Sequence, residues 1–188
     1  MKLLLASASP RRLALLAQIG VIPDQVFATD IDETPGRAEA PRLLAQRLAR
    51  AKATAAARPD WLVLAADTVV ACGSRVLPKA ETADQSRACL TMLSGRRHHV
   101  LTAIVVATPD GRVLERVCDS VVGFARLTRG QIDAYLESGE WQGKAGGYAV
   151  QGLAASHIRF LSGSYSNVVG LPLFETAQLL RGAGYLAT

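Results

Sequence analysis

The chain has 188 residues, 49% of them hydrophobic and 20% charged, a mix that suits one well-buried globular domain over residues 1–188 and excludes a disordered tail or a collagen-like rod. Lys and Arg number 21 against 16 Asp and Glu, for a net charge of +5, yet the arginines are scattered and aromatics make up only 5%. That distribution fits a few cations converging on a phosphate-bearing small molecule better than a nucleic-acid face, and no apolar run reaches the roughly 18 residues needed to cross a bilayer.

In chain order, Lys2–Ala6 reads as a short buried strand; its apolar stretch is too short for the roughly 7–15 residues of a signal-peptide core. Ser9 as N-cap and Pro10 in the first turn predict a helix to about Ile19, with Leu13, Leu16 and Ile19 on one face and Gly20 ending it. An Ala/Leu/Arg-rich helix follows over about 39–57, stopped before Pro59. Leu62–Ala66 predicts a buried strand with Asp67 at its carboxyl end. Thr82 with Gln85, and Thr128 with Gln131, have capping-box spacing and open helices to about Leu93 and Glu137. Between them, Val100–Ala107 and Val113–Phe124 are strand-like and joined at Asp110-Gly111, a hairpin signal. A last helix runs from near Pro172 to Gly182 or Gly184. The mixture, with at least one antiparallel pair, predicts an α/β fold with a mixed sheet. Cys72, Cys89 and Cys118 are odd in number and far apart, which offers neither a disulfide framework nor a metal pair and fits a reducing cytoplasm.

Several segments carry groups suited to chemistry. Ser7-Ala8-Ser9-Pro10-Arg11-Arg12 brings two hydroxyls and two guanidiniums to a helix N-terminus, where anions are favoured; the competing reading is a plain cap with two solvated arginines. Asp67-Thr68 sits where α/β proteins place ligands, beyond a strand's carboxyl end, although a capping Asp in a turn would look the same. Asp32-Glu33 reads as an acidic loop or, with Asp67, as an oxygen-ligand site for Mg²⁺ or Mn²⁺. Gly143-Lys144-Ala145-Gly146-Gly147-Tyr148 is glycine-rich but no Walker A loop, because Ser138 and Ala145 stand at two of its required positions. Gly163-Ser164-Tyr165-Ser166-Asn167 is a second polar loop, without nucleophile-elbow spacing. Lys52 and Lys79 are two of only four lysines. His98 and His99 precede a strand and His157 stands alone; structural or surface roles suit all three.

Together these motifs resemble the Maf family of nucleoside triphosphate pyrophosphatases. The likeness runs in order through Ser7-x-Ser9-Pro10-Arg11-Arg12, Asp32-Glu33-Thr34, Lys52, Ala66-Asp67-Thr68-Val69-Val70, Ser94-Gly95-x-x-His98 with Thr102, Lys144 to Gly152, and Gly163 to Leu173. It implies a mixed, strongly twisted sheet flanked by helices, with two lobes and a central cleft of the inosine triphosphatase type. It also implies hydrolysis of a nucleoside triphosphate to the monophosphate and pyrophosphate with a divalent cation, Mg²⁺ or Mn²⁺. By the same resemblance Asp67 is the catalytic base, and Arg11, Thr68 and Gln151 set substrate choice. With Gln151 present and no residue inserted between Pro10 and Arg11, the chain is similar to the subgroup acting on dTTP and UTP rather than on 7-methyl-GTP. A homodimer and an association with arrest of cell division are further implications. Pro78-Lys79-Ala80 departs from the family's Gly-Lys-Pro, and Gly143 stands where an acidic residue is common.

On this reading Ser7, Ser9, Arg11, Arg12, Lys52 and Lys79 hold the triphosphate, while Glu33 and Asp67 hold the metal. An ordinary Asp titrates near ~4 and water near ~16, so a carboxylate alone is a weak base and a metal that acidifies the water carries much of the activation. The amide of Gln151 offers both donor and acceptor to a pyrimidine's carbonyl and imide edge. The competing classes are a pyrophosphatase for another or modified nucleotide and a nucleic-acid-binding regulator of septation.

Overall fold

An apolar strand buried on both faces starts the fold. In β1 (Lys2–Ala6) alternation sends Leu3 and Leu5 to one side of the sheet and Leu4 and Ala6 to the other. The computed structural model describes residues 1–186, so Ala187 and Thr188 of the expected 1–188 domain lie outside the described residues. After β1 come α1 (Pro10–Gln18), β2 (Gln25–Val26), α2 (Pro41–Ala55), β3 (Trp61–Cys72), β4 (Arg75–Leu77), β5 (Lys79–Ala80) and α3 (Ala83–Leu93). The remainder is β6 (Arg97–Ala107), β7 (Val113–Phe124), α4 (Arg129–Glu137), β8 (Lys144–Ala145), a 3₁₀ turn (Leu153–His157), β9 (Ile158–Ser162), α5 (Tyr165–Val169) and α6 (Leu173–Gly182).

The main sheet has the order β2-β1-β3-β6-β7-β9, with β4 folded back on β3. β1 runs parallel to β2 and β3, whereas the β3–β6, β6–β7 and β7–β9 pairs are antiparallel. The mixed α/β architecture predicted from the sequence is therefore the observed one. β3, β6 and β7, of 12, 11 and 12 residues, are long enough to contribute to more than one packed core. The first half of β3 packs Leu62 and Leu64 beneath α1 and α6 and Val63 and Ala65 beneath α2, while Val70 further on belongs to a separate core with Phe124, Tyr135 and Trp141. Among the described residues no helix is long and apolar enough to cross a membrane.

Both capping boxes form: Thr82 and Thr128 accept from the backbone N–H of Gln85 and Gln131, whose side chains bond back. Other expectations need correction. Ser9 holds the N-cap position of α1 but makes no side-chain cap bond. The buried face of α1 is Arg12, Leu15 and Leu16, and Leu13 is exposed, because the helix turns toward a polar tie described below. β6 begins at Arg97, so His98 and His99 lie within a strand rather than before one. Ser164 caps α5 through Asn167 N–H, which makes the second polar loop a helix. There Asn167 is buried and donates to Val100 O and Ser120 Oγ at 2.8 and 2.9 Å.

Candidate active site

β1 ends at Ala6, paired with Ala65, but β3 continues to Cys72 beside β6. Asp67 therefore lies in mid-strand rather than at the carboxyl end of the strand, the position expected from the sequence. It stands just past the end of its parallel neighbour, where the sheet opens into a cleft of about 330 Å³. The loop after β1, the start of α1, Glu33, Lys52 of α2, Asp67 and Thr68 of β3, Lys79, and the 143–151 segment all line it. Each sequence-predicted site residue thus borders one cavity, contributed by elements far apart in the chain. Asp32 is the exception among the acidic candidates. It is exposed, and its Oδ1 accepts Thr34 N–H at 2.9 Å.

The floor of the cleft is a line of alternating charge. Asp67 and Lys52 are only 3% and 7% exposed, with Lys52 Nζ 2.5 Å from Asp67 Oδ1 and 2.7 Å from Glu33 Oε1. Glu33 Oε2 in turn pairs with Lys79. Burial pushes the Glu33 carboxyl up, but the hydrogen bonds and charges of Lys52 and Lys79 outweigh it and hold the group below its ordinary value. Asp67 Oδ2 makes no protein hydrogen bond among the described residues and is not a buried orphan, so it is open to the cleft. Among the described residues five cations (Arg11, Arg12, Lys52, Lys79 and Lys144) line the cleft with just these two carboxylates, an excess suited to a polyanion.

The two arginines at the α1 N-terminus have different partners. Arg11 is half-buried and spends one N–H on Val169 O at 3.4 Å, which leaves most of its fork for a ligand. Arg12 is buried, and four of its five N–H groups are taken: by Gly170 O (2.8 Å), Ser7 Oγ (3.2 Å), Ala66 O (2.7 Å) and Thr68 Oγ1 (3.1 Å). Arg12, expected as a phosphate contact, borders the cleft, and its four bonded N–H groups tie α1, β3 and the 170 turn together. Thr68 shares this node, with Thr102 Oγ1 at 2.9 Å. Ser7 is consumed too, its Oγ also accepting Ser9 N–H, whereas Ser9 Oγ makes no protein bond among the described residues and stays available.

The glycine-rich segment forms the opposite wall. Its Lys144–Ala145 pairs with Lys79–Ala80 as an antiparallel ribbon, a link that sequence spacing alone did not reveal. Gly146 and Gly147 have φ near +70° and lie against Val70 and Ser86 so closely that a Cβ would collide with either. Beyond them Tyr148 is T-stacked on Phe124 and bonded to His98 Nε2 at 2.8 Å, and Ala149 N–H donates to Tyr135 Oη at 3.0 Å. The segment ends at exposed Gln151 on the cleft rim.

Burial, with a smaller push from His99, lowers the His98 pKa to about 4 from an ordinary 6.5. The folded chain therefore holds His98 neutral at pH 5, where the unfolded chain protonates it, and this stability is complete above pH 6.5 and drains as the pH falls toward 4. Between pH 7 and pH 5 the wild type should lose about 2 kcal/mol more stability than a His98→Gln variant, measured by urea unfolding at both values.

Comparison with known proteins adds relatives to this geometry. Residues 2–183 match the model of a family described as Maf-like protein. A protein of Granulibacter bethesdensis named dTTP/UTP pyrophosphatase is 63% identical, over 97% of this chain and 93% of that protein. One of the same name from Gluconobacter oxydans is 64% identical over 96% and 86%. The solved structure of a HAM1 protein from Coxiella burnetii, 19% identical, superposes with a TM-score of 0.51 over 97% of this chain and all of that one; at that identity the likeness is one of fold.

Proposed function

The chain belongs to the Maf-like protein family, and we propose that it hydrolyses dTTP and UTP to the nucleoside monophosphate and pyrophosphate. One observation carries the reading: a buried carboxylate, Asp67, with one oxygen held by Lys52 and the other open to a cleft that has five cations for two anions. Phosphoryl chemistry asks chiefly for positioning and charge stabilisation, and this cleft supplies both. Arg11, Lys79 and Lys144 draw in the triphosphate, with Ser9 Oγ and the start of α1 at one end. Asp67 Oδ2 then orients a water on the α-phosphorus and accepts its proton as pyrophosphate departs. Lys52 offsets the charge on Asp67 and Glu33 and keeps their separation fixed.

Glu33 and Asp67 also suit a divalent cation. Mg²⁺ is typically held by one or two carboxylates plus substrate phosphates, and among the described residues no group of three or more His, Cys, Asp or Glu forms a self-sufficient site. When bound, such an ion would acidify water and neutralise phosphate charge. Lys52 holds one oxygen of each carboxylate, so Glu33 and the open Asp67 Oδ2 would share the ion with the substrate phosphates. The three free thiols suit a reducing cytoplasm.

The test is pyrophosphate release from dTTP, UTP, CTP, dATP, GTP and 7-methyl-GTP with Mg²⁺, with Mn²⁺ and with EDTA. Metal-dependent release from dTTP and UTP well above the others is the expected result. Preferential release from a purine would overturn the substrate assignment, and none from any would overturn the activity.

A further inference from the structure

Gln151 is exposed at the rim, and its side chain bonds to nothing else in the protein among the described residues. An amide that selects a base must nevertheless be held in one place, because recognition by a donor–acceptor pair fails with small displacements. Its backbone is fixed from behind. Glu140, three residues past α4, directs its carboxylate over the next residue, Gly152. Its Oε2 accepts Leu153 N–H at 2.7 Å. A Cβ on Gly152 would lie 2.6 Å from the Glu140 Cδ and 2.9 Å from Oε1, so the carboxylate fills the space a side chain would need. Glu140 is itself anchored. Its N–H donates to Ser138 Oγ at 3.2 Å, and the adjoining Trp141 is buried with Nε1 bonded to Leu136 O at 2.9 Å. Glu140 does not line the cleft.

We propose that Glu140 is a positioning residue for nucleobase selection, setting the direction of Gln151 by clamping the Gly152-Leu153 backbone against the end of α4. The proposal rests on the reading of Gln151 as the residue that meets the base. The clamp needs an acceptor oxygen at this point rather than a charge, so Gln should replace Glu here and Ala should not.

The experiment measures kcat and KM for UTP and CTP in the wild type and in Glu140→Ala, Glu140→Gln, Gln151→Ala and the Glu140→Ala/Gln151→Ala double variant, with thermal melting of each. Glu140→Ala should raise KM for UTP and cut the UTP-over-CTP ratio of kcat/KM by about tenfold, with kcat for CTP little changed. Glu140→Gln should recover most of that ratio, and the double variant should match Gln151→Ala alone, as expected when both act through one contact. If Gln151→Ala lowers the ratio but Glu140→Ala leaves it at the wild-type value, or depresses both nucleotides equally, the positioning role is overturned and the base-reading role stands. An unchanged ratio in Gln151→Ala would overturn base reading and this proposal with it. Should Glu140→Ala fail to fold, Gly152→Ala, whose Cβ displaces the carboxylate, is read in its place with the same outcomes.

Discussion

Asp67→Asn should reduce kcat by about 10²–10⁴-fold, the contribution typical of a positioned general base, and leave nucleotide affinity close to that of the wild type. Asn is nearly isosteric, and its side-chain oxygen can still accept the Lys52 hydrogen bond that Asp67 Oδ1 holds at 2.5 Å. What it lacks is the negative oxygen that opens to the cleft and, in the proposed reaction, takes the proton. Removing one of two carboxylates also leaves the cleft more cationic, which favours triphosphate binding rather than opposing it. Single-turnover pyrophosphate release beside an equilibrium titration with UTP separates the two quantities. Turnover near the wild-type rate would move the proton acceptor elsewhere, and a parallel loss of binding would make Asp67 a structural anchor.

Arg12→Met should be the most damaging substitution for stability among the cleft residues. It keeps much of the aliphatic volume but deletes four hydrogen bonds, taking the guanidinium donor from Ala66 O and leaving Gly170 O with only the longer 3.4 Å bond from Thr68 Oγ1, at a site where Arg12 is 8% exposed. At roughly 0.5–1.5 kcal/mol net for each of the four hydrogen bonds lost, a loss of about 3 kcal/mol follows, equal to a fall of roughly 6–12 °C in Tm for a domain of this size. Arg12→Lys should recover little, because an ammonium cannot span acceptors on three separate segments. Arg11→Lys should behave in the opposite way, lowering kcat/KM with little change in Tm. Equal Tm values for the two Arg12 variants and the wild type would return Arg12 to the phosphate-binding set.

Local signals in the sequence were reliable where a single segment decides the outcome. Thr82-x-x-Gln85 and Thr128-x-x-Gln131 cap as their spacing demands, and the hairpin at Asp110-Gly111 joins the predicted strands. The cleft residues were legible as a set because their motifs resemble a family, and the structure does bring them to one cavity. Partnership was not legible. Arg11 and Arg12 are adjacent and chemically identical, yet one faces a ligand space and the other is consumed by carbonyls more than fifty residues away. Nothing in either side chain reports which carbonyls will arrive. The length of β3 was underestimated for a similar reason: an acidic residue looks like the end of an apolar strand until a buried lysine from α2 is placed beside it. Glu140 gave no signal at all, since its partner is a backbone N–H.

The parallel register of β1 also has a consequence for how the chain is made. Leu3, Leu4 and Leu5 are fully covered in the folded state, but the strand that covers them most directly begins at Trp61. At roughly 5–20 residues per second of synthesis, the nascent N-terminus waits several seconds with three leucines and an unpaired edge in solvent. During that interval the Ser7-to-Arg12 loop has no fixed geometry, because Arg12 lacks both Ala66 O and Gly170 O to bind. The end of the cleft at the start of α1 is thus among the last parts to acquire its shape, and only after nearly the whole polypeptide has left the ribosome.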